Sequence, residues 1–347
     1  MKITKRTRIL LGLGVSLASA IFLAVVIDWR EFAATLARFN YLYLIPATCC
    51  VVASYYCRAL QWRYVLGGIR RLPAYPLFRI TMLGFLANTL LPARLGEVVR
   101  AYILARKQRL SKGTAFGSVI VTRLLDGAIL FLILGGFAIL IPAKIAGFKA
   151  GGTTGFIIYA AIVSFFVLFY FNRDAATSII KFIFAPFSKR LAIKIVRSLD
   201  KFTHGFSCFR SPADLGKAFL YSGAIWLLVA LSYYFVNLGF KFTSTLPLYA
   251  PLLLVAIVSL AISIPSSPGF IGTMELGVLA ALHIIEPALT RNEGLSYAIV
   301  VHLVQVLPAV GIGLVYLWTE HLTIAELAKA EEIQTEAAYA EKGGGYE

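Results

Sequence analysis

Apolar runs at about 9–27, 41–57, 114–141, 155–171, 218–236 and 295–318 limit what this chain can become more than any other feature. At 1.5 Å per residue, each crosses or nearly crosses a hydrocarbon core ~30 Å thick. Lipid offers the backbone no water, so such runs fold as helices that satisfy their own N–H and C=O groups. The hydrophobic share of 59%, the charged share of 14% and a mean hydropathy of +0.80 lie far from the balance of a soluble domain. The expectation is an all-α polytopic membrane protein with about six full transmembrane helices.

The first run follows "MKITKRTR", but it is longer than a signal-peptide core and no small-residue cleavage site follows, so it reads as a retained helix. Cys49, Cys50, Cys57 and Cys208 form no C-x-x-C pair and read as packing residues rather than metal ligands or a disulfide framework. Lys2, Lys5, Arg6 and Arg8 place the N-terminus in the cytoplasm. Arg58, Arg63, Arg70 and Arg71 bring the second run back to the same side, and the loop "DWREFAATLARFN" between them has the near-balanced charge of an external loop.

Residues 77–105 break this count, because the segment is apolar yet flanked by basic residues at both ends. A re-entrant hairpin that dips from the cytoplasm and turns at "LLPARLG" satisfies both flanks, with Pro92 and Gly96 at the break. A second interrupted segment, 247–285, is broken at "SIPSSPGFIGTMELG" by Pro265, Pro268, Gly269 and Gly272 and enters from the opposite side. Two broken hairpins of opposite direction in the two halves of a chain are the pattern of an inverted-repeat transporter. Between them, 173–217 is strongly basic and reads as a cytoplasmic amphipathic segment on the inner leaflet, or equally as a solvated linker; Ile179, Ile180, Phe182, Ile183 and Phe187 are its apolar residues. Residues 1–318 thus form the membrane domain. Residues 319–347 form an acidic tail, also cytoplasmic, expected to be a short helix that frays.

Charges inside such a domain cost ~2.5 to 3.5 kcal/mol each unless paired or wet. Arg94, Glu97 and Arg100 are spaced three apart at the first break, and Arg123 and Asp126 are three apart in the next span, near its middle. One reading is an ion-pair lock between hairpin and neighbour. The other, favoured by the functional bias of intramembrane charge, is a wet cavity for a lipid head group, whose phosphate an arginine fork binds in bidentate fashion. Ser266, Ser267, Thr273 and Glu275 add polar groups at the second break, where freed backbone also becomes available. His283, His302, Asn237 and Gln305 read as helix contacts rather than site residues.

"NTLLPARLGEVVRAYIL", then "RLLDGAILFLI", then "IPSSPGFIGTMELG", together with the earlier "RALQWRYVL", resembles the transmembrane flippase-like domain family named after lysylphosphatidylglycerol synthase. The likeness runs from about residue 10 to 318 and implies translocation of lipids with large polar heads between leaflets. It matches Pro92, Arg94, Gly96, Glu97, Arg100, Arg123, Asp126, Pro265, Pro268, Gly269, Gly272, Thr273 and Glu275. In the multiple peptide resistance factors of that family an aminoacyl-transferase domain follows the membrane part. Only 29 residues follow position 318 here, so the chain is not expected to make its own cargo.

The expected function is therefore lipid translocation in the cytoplasmic membrane, without metal or cofactor. The substrate is an anionic or aminoacyl phospholipid, a polyprenyl-phosphate glycan or a hopanoid. A separate lipid synthase and homo-oligomerisation are compatible partners, and nucleic acid is not expected. A membrane enzyme is the main alternative, but "DGAILFL" lacks the arginine of a CDP-alcohol transferase and no H-E-x-x-H or G-x-S-x-G occurs. A non-catalytic partner of a lipid synthase is the other.

Overall fold

The computed structural model describes residues 28–91, 95–140, 173–184, 211–263, 268–323 and 326. The runs 9–27 and 155–171, the residues Pro92, Arg94, Pro265, Ser266 and Ser267, and most of the basic segment, including Phe187, lie outside them. No strand occurs among the described residues. The helices there are α1 (Trp29–Ala37), α2 (Leu44–Val65), α3 (Ala74–Leu90), α4 (Gly96–Gln108), α5 (Lys112–Leu140), α6 (Arg173–Phe184), α7 (Pro212–Gly239), α8 (Ala250–Ser263), α9 (Thr273–Ile285) and α10 (Arg291–Thr319).

By length and composition, the segments Tyr41–Val65, Lys112–Phe137, Pro212–Gly239, Pro268–Ile285 and Arg291–Thr319 are long and apolar enough to cross a membrane. Four of them coincide with expected spans. The fifth, Pro268–Ile285, is the later limb of the second broken segment. It includes the 3-10 turn Pro268–Phe270 in front of α9. The chain is a polytopic all-α membrane protein.

Its residues fall into two compact units, one drawn from Met1–Cys57, Phe78–Arg100 and Ala224–Glu347, the other from Arg58–Leu77 and Ala101–Gly223. The first unit contains both helix breaks. α3 stops at Leu90 and α4 starts at Gly96, and the two fold back on one another so closely that a Cβ on Gly96 would lie 2.0 Å from the Gly84 carbonyl oxygen and 2.5 Å from Asn88. Glycine at both positions is what permits this approach, since any side chain at 96 meets backbone rather than a movable neighbour. α8 and α9 also return on each other, with Gly277 facing Ala261 and Val258. α10 packs on α3 where Gly313 faces Leu86 and Met82, and the Tyr55 hydroxyl on α2 donates to the Gln305 carbonyl on α10.

In the second unit Trp62, fully buried, donates its indole N–H to Ser118 Oγ at 3.0 Å, joining α2 to α5. Tyr64 stacks on Tyr221 with ring centroids 5.6 Å apart. In α6 Ile180 is buried while Ile179 and Phe182 are exposed.

The Gly84–Gly96 contact generates a test. Gly96→Ala is expected to cost about 1 to 3 kcal/mol, the usual penalty of overpacking, and to lower the melting temperature of the detergent-purified protein by several degrees. Gly311→Ala, where the added Cβ meets nothing within 4 Å, is expected to leave melting unchanged or slightly raised.

Candidate functional site

Breaking a helix between Leu90 and Gly96 frees backbone groups, and nearby side chains meet some of them. Asn88 Oδ1 accepts the Gly96 N–H at 2.7 Å. Glu97 stands in the first turn of α4, and one turn on Arg100 Nη1 donates to Glu97 Oε2 at 3.3 Å. The aliphatic stem of Arg100 runs over Gly84, whose missing side chain makes room for it. The Arg100 side chain is 3% exposed and that of Glu97 25%, so the arginine is the inner member of the pair and the carboxylate the outer. Of the charged trio at this break, the structure brings Glu97 and Arg100 together, while Arg94 lies outside the described residues.

The second break is built on left-handed backbone. Gly269 has φ +68° and Gly272 φ +87°, values that glycine adopts without strain, and Phe270 between them is held at φ +62°. Thr273 Oγ1 donates to the Phe270 carbonyl at 3.0 Å, so this candidate site residue closes the turn. Glu275 reaches back to accept the Gly272 N–H on Oε2 at 2.6 Å, capping α9. Its other oxygen, Oε1, pairs with His302 Nδ1 at 2.5 Å, and His302 Nε2 donates to the Gly269 carbonyl at 2.9 Å.

The sequence reads His302 as a helix contact rather than a site residue. The histidine does bond a neighbouring helix, but its partners are Glu275 and Gly269, both at the break. The available signal was the three-residue spacing of His302 and Gln305 on an apolar helix, which puts two polar groups on one face. Gln305 itself does bridge helices, donating to Ser232 Oγ at 2.8 Å.

The two breaks meet. A Cβ on Gly269 would lie 3.7 Å from both Cγ2 and the carbonyl oxygen of Thr89, at the end of α3. The tip carrying Glu97 and Arg100 and the tip carrying Glu275 are thus neighbours within one unit.

Arg123 and Asp126 belong to the second unit. Asp126, 3% exposed, takes two strong donors on Oδ1, Gln61 Nε2 at 2.9 Å and Ser222 Oγ at 2.8 Å. On Oδ2 it takes Arg58 Nη1 at 2.6 Å and Arg123 Nη1 at 3.4 Å. The expected Arg123–Asp126 pair exists, but Arg58 is the closer partner, and the Arg123 side chain is 37% exposed. Arg58 and Gln61 come from "RALQW", three residues apart on α2, whereas nothing local singles out Ser222. Elsewhere in this unit Arg63, Tyr64, Gly67, Arg71 and Asp214 line a cavity of about 450 Å³ that contains none of the expected site residues. Among the described residues, no three His, Cys, Asp or Glu side chains cluster as metal ligands.

Apolar helices of spanning length, two helix breaks in the first unit and buried charged pairs in each unit fit a polytopic membrane protein. The chain belongs to the family described as the lysylphosphatidylglycerol synthase TM region, whose model matches residues 9–313. It is also similar to a UPF0104 membrane protein of Methanocaldococcus jannaschii, with 27% identity over 209 residues, 58% of this chain. The match spans 55% of the length of that relative. No solved structure matches the chain.

Asp126 and Arg123 differ in what their loss should do. Asp126→Ala removes the carboxylate from Arg58, whose side chain is 11% exposed, and is expected to cost about 3 to 5 kcal/mol. Arg123→Ala removes a longer, partly exposed contact, and is expected to cost under ~1 kcal/mol. Denaturant or thermal unfolding of the two purified variants checks the ordering, and equal losses would make Arg123 an integral part of the hub.

Proposed function

We propose that this chain is an integral-membrane lipid translocase, and not an enzyme, which moves a lipid with a phosphate-containing head group between the leaflets of the cytoplasmic membrane. The observation that carries the reading is the contact of the two helix breaks at Thr89 and Gly269. Each break brings a carboxylate, Glu97 or Glu275, and polar backbone to one place in a unit built of apolar helices. A head group needs such a place to cross, because unpaired polar groups in hydrocarbon cost several kcal/mol. Acyl chains need none and stay in the lipid. α4 and α9 also both start at the junction, so the positive ends of two helix dipoles lie where an anionic group would pass.

Within this proposal Glu97 is the gate residue. Its partial exposure lets it leave Arg100 when a phosphate arrives, and Arg100 then offers its fork to that phosphate. Arg94, Ser266 and Ser267 are the further head-group ligands that the sequence places beside the two tips. The family description names the transmembrane region of lysylphosphatidylglycerol synthase, which supports a phospholipid cargo.

The test is reconstitution of the purified full-length protein in liposomes containing fluorescent phosphatidylglycerol or phosphatidylcholine, with a membrane-impermeant quencher outside. We expect quenching beyond that of protein-free liposomes, with no covalent change in the lipid by mass spectrometry. Glu97→Gln, which keeps the side-chain shape but removes the charge, is expected to slow flux about tenfold or more while melting stays near the parental value. Folded protein that moves neither lipid would overturn the proposal, and a modified lipid would replace it with an enzyme.

A further inference from the structure

Hydrogen-bond bookkeeping at the second break leaves one atom to be placed. The Gly269 carbonyl only accepts, so His302 Nε2 must carry a hydrogen to make its 2.9 Å contact. Glu275 Oε2 is occupied by the Gly272 N–H. The 2.5 Å contact between Glu275 Oε1 and His302 Nδ1 joins two atoms that each hold a lone pair, and it requires one hydrogen between them. Whether that proton is assigned to the ring or to the carboxyl, the pair carries one proton more than a neutral histidine beside a carboxylate. Its net charge is then zero, as its burial requires: the residues are 8% and 4% exposed.

We infer that Glu275 and His302 form a proton-binding site, and that the proton held between Oε1 and Nδ1 ties the second break to α10 and couples opening of the break to proton release. The step balances simply. The protonated pair gives one H⁺ to water and leaves a carboxylate and a neutral imidazole with a single N–H. That N–H faces two acceptors, Glu275 Oε1 and the Gly269 carbonyl, and satisfies only one. One of the two ties to α10 must therefore open. If the hydrogen stays on Nε2, lone pairs of Oε1 and Nδ1 repel; if it moves to Nδ1, the Gly269 carbonyl is released. Gly269 is the residue that lies beside Thr89 on the other tip, so either outcome acts on the junction of the two breaks.

Charged and titratable groups on the surrounding elements have described partners of their own. Tyr55 on α2 donates to the Gln305 carbonyl, Arg79 on α3 pairs with Glu320, and Glu97 pairs with Arg100 on α4. Tyr297 on α10 donates to the carbonyl of Tyr233 on α7, and His283 on α9 is exposed. α8 carries no ionisable side chain. Among the described residues the shared proton is thus assigned by Glu275 and His302 themselves.

As an account of transport, this inference rests on the translocase reading, so its test reads the break and the flux separately. Hydrogen–deuterium exchange of the segment 268–276 is measured in the full-length protein over a range of pH, corrected for intrinsic exchange. Lipid flux is measured in proteoliposomes with and without an imposed pH gradient. In the parental protein we expect opening of the segment to rise at least tenfold as pH rises, and flux to respond to the gradient. In Glu275→Gln the amide donates to Nδ1 while its oxygen still accepts from Gly272, which mimics the protonated lock with nothing to release. That variant is expected to fold, to show no pH dependence of exchange, and to lose at least tenfold in flux. Should it fail to fold, His302→Gln, which removes the other partner of the shared proton, is expected to abolish the same pH dependence. Flux without any response to the gradient, together with pH-independent exchange, overturns proton coupling and leaves the translocase standing. Absence of flux with pH-dependent exchange that Glu275→Gln abolishes supports the proton site and removes the translocase instead.

Discussion

A helix interrupted inside an apolar protein leaves N–H and C=O groups that neither lipid nor the helix itself can satisfy, and the arrangement of the first unit follows from how those groups are met. At the first break the answer is local: Asn88 reaches across the hairpin to the Gly96 N–H. This requires α3 and α4 to lie almost backbone to backbone, hence Gly84 and Gly96, and the same bare surface gives the stem of Arg100 its path. At the second break the answer is partly distant. Glu275 caps Gly272 from within α9, but the Gly269 carbonyl is met by His302, from another helix. The second tip is therefore held by α10, and α10 is held to α3 at Gly313 and to α2 at Tyr55. One set of backbone obligations thus links both breaks to the same central helix.

Long apolar runs were legible because crossing hydrocarbon demands continuous hydrophobicity over a length that chance does not supply, so four expected spans reappear as helices whose ends differ by up to eight residues. The breaks were legible for a similar reason. Proline and paired glycines within apolar sequence have few other uses, and the positive φ of Gly269 and Gly272 is the conformation those glycines announce. The i,i+3 pairs Glu97–Arg100 and Arg123–Asp126 were legible because helical spacing alone puts such residues side by side.

What was not legible depends on tertiary neighbours. His302 is 27 positions from Glu275, and Ser222 is 96 positions from Asp126. No periodicity reports such distances. Gly84 carries no mark in the sequence either, since a lone glycine in an apolar helix is ordinary until another backbone is found against it.

The two buried carboxylates outside the first break then differ in kind. Asp126 faces donors that each bring their own hydrogen, two guanidinium groups, an amide and a hydroxyl, so its network is complete whatever the surrounding proton supply. Saturation of that sort suits a fixed joint, as breaking any contact leaves a buried charge less well met. Glu275 faces a histidine that must itself be supplied with a hydrogen to serve both of its acceptors. A carboxylate, buried to nearly the same degree in each case, is a static hub at Asp126 and a conditional tie at Glu275, and the difference lies in whether its partners' hydrogens are permanent.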